Sequence, residues 1–165
     1  MPPITALLHT KDDALRLGRA LETLFPCAEI LVIDHSSADA TLRVARAYGA
    51  REVAADAEAH ACHYLDLAKT DWIFCMEPTE CISEGLQASL FEWAARASES
   101  IGEFSFDVVV RRQVGELWLE ASLETRLISR RSPRCSAMFR GKGYLPSHES
   151  SGVVLEGELL RFDFP

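Results

Sequence analysis

The spacing of apolar residues changes along this chain, and the changes outline its elements. Near-continuous runs occupy Ile4 to His9, Ile30 to Ile33 and Trp72 to Met76, the pattern of strands buried on both faces of a parallel sheet. Between the runs the period lengthens to that of amphipathic helices. Ala14, Leu17, Leu21 and Leu24 share one face of the first, and Thr41, Val44, Ala45 and Tyr48 one face of the second, which Gly49 stops. Arg51 to Ala55 reads as a short third strand, and Ala57 to Lys69 as a helix with Tyr64, Leu65 and Ala68 inward. Ser83 is placed to cap a helix reaching about Ser98, with Leu86, Leu90, Trp93 and Ala97 facing the core.

After Glu99 the period shortens. Phe104 to Val108 alternates, and β-rich stretches Glu116 to Ala121 and Glu124 to Ser129 follow as a meander. Ser132 to Gly143, with Pro133 and two glycines, reads as a loop, and Val153 to Phe162 as a last strand that closes the sheet. The pattern predicts an α/β fold: a mixed sheet whose parallel core comes from the first half, flanked by helices, with antiparallel strands added by the second half. No repeat or linker divides it, so residues 1–165 are read as one domain.

Charge and cysteine usage narrow the function. A net charge of −8 excludes a nucleic-acid partner on the usual electrostatic ground and disfavours an anionic membrane surface. Met1 to Leu8 has no cationic flank and too short an apolar run for a signal or a membrane span, so the chain is expected to be soluble and cytoplasmic. Five dispersed cysteines read as reduced thiols rather than a disulfide framework. His60, Cys62 and His63 stand about a helical turn apart, but no second cluster completes a tetrahedral zinc site, and residues of a helix are the simpler account.

Candidate chemistry concentrates where Ile30 to Ile33 ends in Asp34-His35-Ser36-Ser37-Ala38-Asp39 and a helix begins. At the carboxyl end of a buried strand side chains leave the core, and the next helix offers unpaired N–H groups. Asp34 can accept from a base or ribose donor, Ser37 is placed as an N-cap, and Asp39 favours the helix start. Ordinary turn and cap chemistry would use the same residues.

The order of such turns supplies a resemblance. Ile4-Thr5-Ala6-Leu7-Leu8-His9-Thr10-Lys11-Asp12-Asp13, then Ala28 to Asp34, then Asp71-Trp72-Ile73-Phe74-Cys75-Met76-Glu77-Pro78-Thr79-Glu80 resembles the nucleotide-sugar half of family 2 glycosyltransferases. These have the GT-A fold, a Rossmann-like mixed sheet. In that family a first strand ends in a Thr-Lys-Asn-Glu-like turn, a second in Asp followed by Ser-x-Asp-x-Thr, and a fourth in Asp-x-Asp. Arg126-Leu127-Ile128-Ser129-Arg130-Arg131 and His148-Glu149 are similar to elements of the bacterial branch that decorates lipopolysaccharide cores.

The resemblance implies a nucleotide-binding half over residues 1–100 and a β-rich acceptor-side half over 101–165. It implies a nucleotide sugar, a UDP-sugar, held by Thr10, Asp12, Asp34 and Ser36, and transfer with inversion to an unknown acceptor of cell-envelope polysaccharide type. Glu149 is implied as general base with His148 orienting it, and Glu77 and Glu80 as ligands of a weak Mn²⁺ or Mg²⁺ site. The chain departs from the family at two places. Glu77-Pro78-Thr79 stands for Asp-x-Asp, so one carboxylate is a hydroxyl, and Ala61-Cys62 stands where Arg-Asn is frequent. Lys11 and Arg51 are the nearby candidates for positive charge. Arg126, Arg130 and Arg131 suit either phosphate or a basic edge strand that discourages pairing. The alternative function is a catalytically inactive binding or assembly module, with self-association left open, because folds outlive their chemistry.

Overall fold

A computed structural model describes residues 3–96, 102–148 and 152–163. In chain order its elements are β1 (Ile4–Thr10), α1 (Ala14–Glu22), β2 (Glu29–Asp34), α2 (Thr41–Ala47), β3 (Arg51–Ala54), α3 (Ala61–Leu65), β4 (Trp72–Met76), β5 (Glu80–Ile82), α4 (Glu84–Arg96), β6 (Ser105–Val114), β7 (Leu117–Trp118), β8 (Ser122–Ser129), α5 (Cys135–Met138) and β9 (Val154–Asp163). The apolar runs become parallel strands β3-β2-β1-β4, as expected for segments that bury both faces. Alternation splits their side chains. Ile4, Ala6, Leu8, Val32, Phe74 and Met76 meet Leu17 and Leu21 of α1 and Leu86, Leu90 and Trp93 of α4. Leu7, Leu31, Ile33, Ile73 and Cys75 turn the other way, onto Tyr64 and Leu65 of α3 and Cys135 and Met138 of α5.

The second half extends the same sheet in the order β4-β8-β6-β9-β5. β8 runs antiparallel to β4 and β6, β9 parallel to β6, and β5 antiparallel to β9. The mixed α/β sheet is therefore as the pattern predicted, but two strands differ from it. β9 does not close the sheet; it is inserted between β6 and β5, and in place of the expected meander β7 and β8 both pair with β6. β5, three residues long, follows the Glu77–Glu80 turn and forms the far edge, where so short a strand leaves no periodicity to read.

The third helix is shorter than its apolar face suggests. His60 caps it, its ring accepting from the Cys62 N–H at 3.3 Å. Beyond Leu65 the chain tightens into i−3 hydrogen bonds from Leu67 to Tyr64 and from Ala68 to Leu65. Tyr64, Leu65 and Ala68 still pack inward. Ser83 does cap α4, accepting from the Leu86 N–H at 3.2 Å, and it accepts from Glu158 of β9 as well. Ala97 and Ser98 lie outside the described residues. Arg126, read as part of a basic edge, lies on interior strand β8 and is fully buried. Among the described residues no helix is long and apolar enough to cross a membrane.

Candidate functional site

The chain leaves β1 toward β2 and β3 and then returns to the opposite side of β1 as β4. The strand order therefore reverses between β1 and β4, and open α/β sheets hold ligands outside the carboxyl ends at such a point. Three turns gather there: 10–13 after β1, 34–41 after β2 and 77–80 after β4. Thr10 and Asp34 are register partners at the ends of β1 and β2, and the His35 N–H donates to the Thr10 carbonyl at 2.9 Å. The structure thus brings these two sequence-chosen residues together on one face of the sheet.

Their side chains are largely engaged in building the turns. Asp34 accepts from the Ser37 N–H at 3.1 Å and the Ser37 hydroxyl at 2.5 Å, while Ser37 Oγ accepts from the Asp12 N–H at 2.9 Å. Asp12 answers across the gap, its carboxylate accepting from Ala38 N–H at 2.7 Å and Asp39 N–H at 3.4 Å. Asp12 and Ser36 both have left-handed backbones, φ 52° and 61°, a conformation that non-glycine residues hold only when neighbours fix it. Ser37, expected as the α2 N-cap, is this bridge instead. Ala40 is the N-cap, and Asp39 supports the helix start from the residue before it, accepting from the Thr41 N–H at 2.9 Å, while its second oxygen accepts from Ala14 at the start of α1. The two turns are one hydrogen-bonded unit with helix starts on its rim. Lys11 also belongs to it, donating to the His35 and Ser36 carbonyls. Arg51 does not: it sits at the amino end of β3, paired with Glu29 at 2.8 Å.

The turn after β4 rests on buried charge. Glu80 is fully buried and accepts from Arg126 at 2.8 and 2.9 Å and from Arg161 at 2.7 Å. Its Oε2 also accepts from the Glu77 N–H at 2.8 Å, so both oxygens are committed. Glu80, expected as a metal ligand, is engaged here as the counter-ion that lets Arg126 be buried. Glu124 completes the network at 2.8 Å from Arg126; burial pushes its carboxyl up, but Arg126 and Arg161 outweigh this and hold it below the usual range. Glu77 stays partly open to solvent, 3.4 Å from Arg161. Burial, and then the Glu80 charge, push its carboxyl above the usual range.

On the opposite face from Thr10, the end of β1 carries His9, which sequence reasoning passed over as part of an apolar run. Its Nδ1 shares a hydrogen bond of 2.9 Å with His35 Nε2, Tyr64 meets its ring edge-on at 5.0 Å, and Tyr144 stacks on its face at 3.8 Å. A hollow of about 180 Å³ lies between Tyr144 and the turn, lined by His9, Met76, Glu77, Pro78, Thr79, Tyr144 and Leu145. A larger hollow of about 530 Å³ opens at the amino ends of β2 and β3, the edge remote from the switch point. Burial, and then the neighbouring His35, push the His9 imidazole down to about 3. Unfolded His9 takes its proton near 6.5 while the folded ring resists it to about 3, so between those values the unfolded chain holds the extra proton and stability falls with pH. From about pH 6.5 to about 4.5 this ring should cost about 2–3 kcal/mol, measurable by urea unfolding across pH and flattened in His9→Gln.

Ser36 is exposed on its left-handed turn, and His148 is exposed just after Ser147; Glu149 lies outside the described residues. The residues missed by sequence reasoning are His9, His35, Tyr144 and Arg161. The one available signal was a histidine at each of two adjacent strand ends; Tyr144 and Arg161 are distant in sequence and carried none.

Solved structures of other proteins share the fold. Glucosyl-3-phosphoglycerate synthase from Mycobacterium tuberculosis, solved with Mn²⁺, UDP and glucosyl-3-phosphoglycerate, superposes with a TM-score of 0.52 at 15% identity, over 67% of this chain and 44% of that one. Mannosyl-3-phosphoglycerate synthase from Rubrobacter xylanophilus gives 0.54 at 18% identity, over 67% and 41%. The chain has the GT-A fold. S. aureus TarS also matches, at 0.50 and 16% identity, over 67% of this chain and 22% of that one. The GT-A region matched here is thus less than half the length of each of these neighbours. No protein-family model and no curated protein matches the sequence. The mycobacterial enzyme has been solved with Mn²⁺ or Mg²⁺ beside UDP; among the described residues of this GT-A chain, no three His, Cys, Asp or Glu side chains converge as a metal site.

Proposed function

We propose that this chain binds a nucleotide sugar, a UDP-sugar, at the switch point and transfers the sugar to an acceptor hydroxyl with inversion. The observation that carries the reading is the in-register pairing of Thr10 with Asp34 beside the reversal of strand order. Asp34 faces the base or ribose, and the unit formed by Asp12, Ser36 and Ser37 shapes the turn that receives them. Glu149 takes the acceptor proton as the new oxygen–carbon bond forms and the bond to the diphosphate breaks, with His148 orienting it. A divalent cation does not fit the residues well: Glu77 is already paired with Arg161, Thr79 is neutral, and Glu80 belongs to its arginines. The protein would act in the cytoplasm on a cell-envelope glycan precursor.

Thermal unfolding with added donor tests this. A UDP-sugar at about ten times its Kd should raise Tm by about 3–6 °C, Mn²⁺ should add little, and Asp34→Ala should remove most of the shift. Glu149→Gln should slow transfer and leave donor binding unchanged. The absence of any shift with UDP-, GDP- or dTDP-sugars would overturn the reading. Binding without turnover would favour an inactive GT-A binding or assembly module, which the commitment of Glu80 to structure also favours.

A further inference from the structure

Tyr144 is held differently from the other rings around His9. His9 itself is fixed by the His35 hydrogen bond and by the Tyr64 edge. Tyr144 lies nearly parallel on the remaining face of His9, 3.8 Å between centroids and 19° between planes, yet is 38% exposed. Its segment is anchored at both ends. Phe139 and Met138 are buried, Leu145 packs against the α3 and α5 core, and the Ser147 hydroxyl donates to the Met138 carbonyl at 2.9 Å. Between those anchors Gly141 turns with φ 62°, and the Lys142 ammonium on the Ala57 carbonyl is the segment's one side-chain hydrogen bond among the described residues.

The position matters as much as the stack. His9 stands at the carboxyl end of β1, beside the reversal of strand order, so its ring offers a flat stacking face at the ligand edge of the sheet. The hollow that Tyr144 walls, about 180 Å³, is smaller than the roughly 300–1,000 Å³ of ordinary small-molecule sites. Moving Tyr144 aside would enlarge it and leave an unpaired ring face on His9.

We propose that Tyr144 is an internal competitor: its ring occupies the stacking face of His9 that the base of a nucleoside diphosphate takes, and it swings out when the nucleotide binds. The proposal rests on the nucleotide reading above and adds that the unliganded site is closed by its own side chain. An aromatic stack of this kind shifts an equilibrium by roughly 2- to 12-fold, so the competition tunes affinity without abolishing it.

Calorimetric titration of UDP into the full chain, as wild type, Tyr144→Ala, Tyr144→Phe and Asp34→Ala, decides it. Tyr144→Ala should bind UDP roughly 2- to 12-fold more tightly, and Tyr144→Phe, which keeps the ring, should match wild type. Equal or weaker binding in Tyr144→Ala, with wild-type binding intact and lost in Asp34→Ala, would overturn the competitor role and leave the nucleotide reading standing. No binding of UDP, GDP or dTDP by wild type or Tyr144→Ala would overturn both. Should Tyr144→Ala fold poorly, the NMR signals of the Tyr144 ring in the wild type give a second readout. They should lose the His9 ring-current shift when UDP saturates the protein, and an unchanged shift would overturn the proposal.

Discussion

Gly157→Ala is expected to leave little or no folded protein. Gly157 lies in β9 where that strand crosses the start of α4, with φ at +93°. A Cβ there would sit 2.1 Å from the Leu86 nitrogen and 2.5 Å from the Gly85 carbonyl carbon. Both are backbone atoms, so no rotamer relieves the overlap, and the left-handed φ adds its own cost. The two elements are also tied by Ser83, which accepts from both Leu86 and Glu158. Separating them breaks the α4 cap and the β9 hydrogen bond together. The expected loss is about 5 kcal/mol or more, comparable to the whole stability of many domains. Urea unfolding and NMR dispersion would show it. Gly115→Ala is the control: its φ of +60° is similar, but nothing lies within 4 Å of the added atom, so only the backbone cost of about 1 kcal/mol should appear. A stable, dispersed Gly157→Ala protein would mean that β9 does not cross α4 this closely.

Arg126→Leu should destabilise the fold by about 3–5 kcal/mol. The Arg126 guanidinium donates to both oxygens of Glu80, to Glu124 and to the Cys75 carbonyl at the end of β4. Leucine fills part of the volume but leaves Glu80, fully buried, with Arg161 and one backbone N–H as its partners. An under-compensated buried charge, rather than the lost attraction alone, sets the magnitude. Adding Glu80→Gln should recover part of the loss, because it removes the stranded charge. Arg131→Ala, which breaks an exposed pair with Asp71, should stay within about 1 kcal/mol. The same network supports the Glu77 turn, so Arg126→Leu should also loosen the hollow beside His9. Denaturant midpoints for the four proteins test the ordering, and a tolerated Arg126→Leu would contradict it.

The candidate site was half visible in the chain. Asp34, Asp12 and Thr10 could be chosen because a strand end followed by small polar residues is a local pattern, and parallel pairing then placed two of them side by side. Their hydrogen-bond partners could not be chosen. Whether Ser37 caps α2 or bridges Asp34 to Asp12 depends on where the first turn lies, residues 10–13, and on the left-handed backbones that face one another across it. Arg126 shows the same limit in a different form. An arginine on a strand reads as an exposed edge until β4 and β6 are known to flank it and a buried Glu80, 46 positions away, is known to meet it.

What the sequence determined by itself is the alternation of apolar strand and amphipathic helix, and hence the two-faced parallel core, because side-chain period follows from backbone geometry residue by residue. It also determined where strands end in polar turns, which is where chemistry can collect. Only the tertiary structure decided the order β8-β6-β9-β5, the burial of Arg126 on Glu80, and the seating of Tyr144 on His9. Each of these joins residues far apart in the chain. Their energies depend on solvent exclusion and on geometry fixed by every intervening element, and no local period records either.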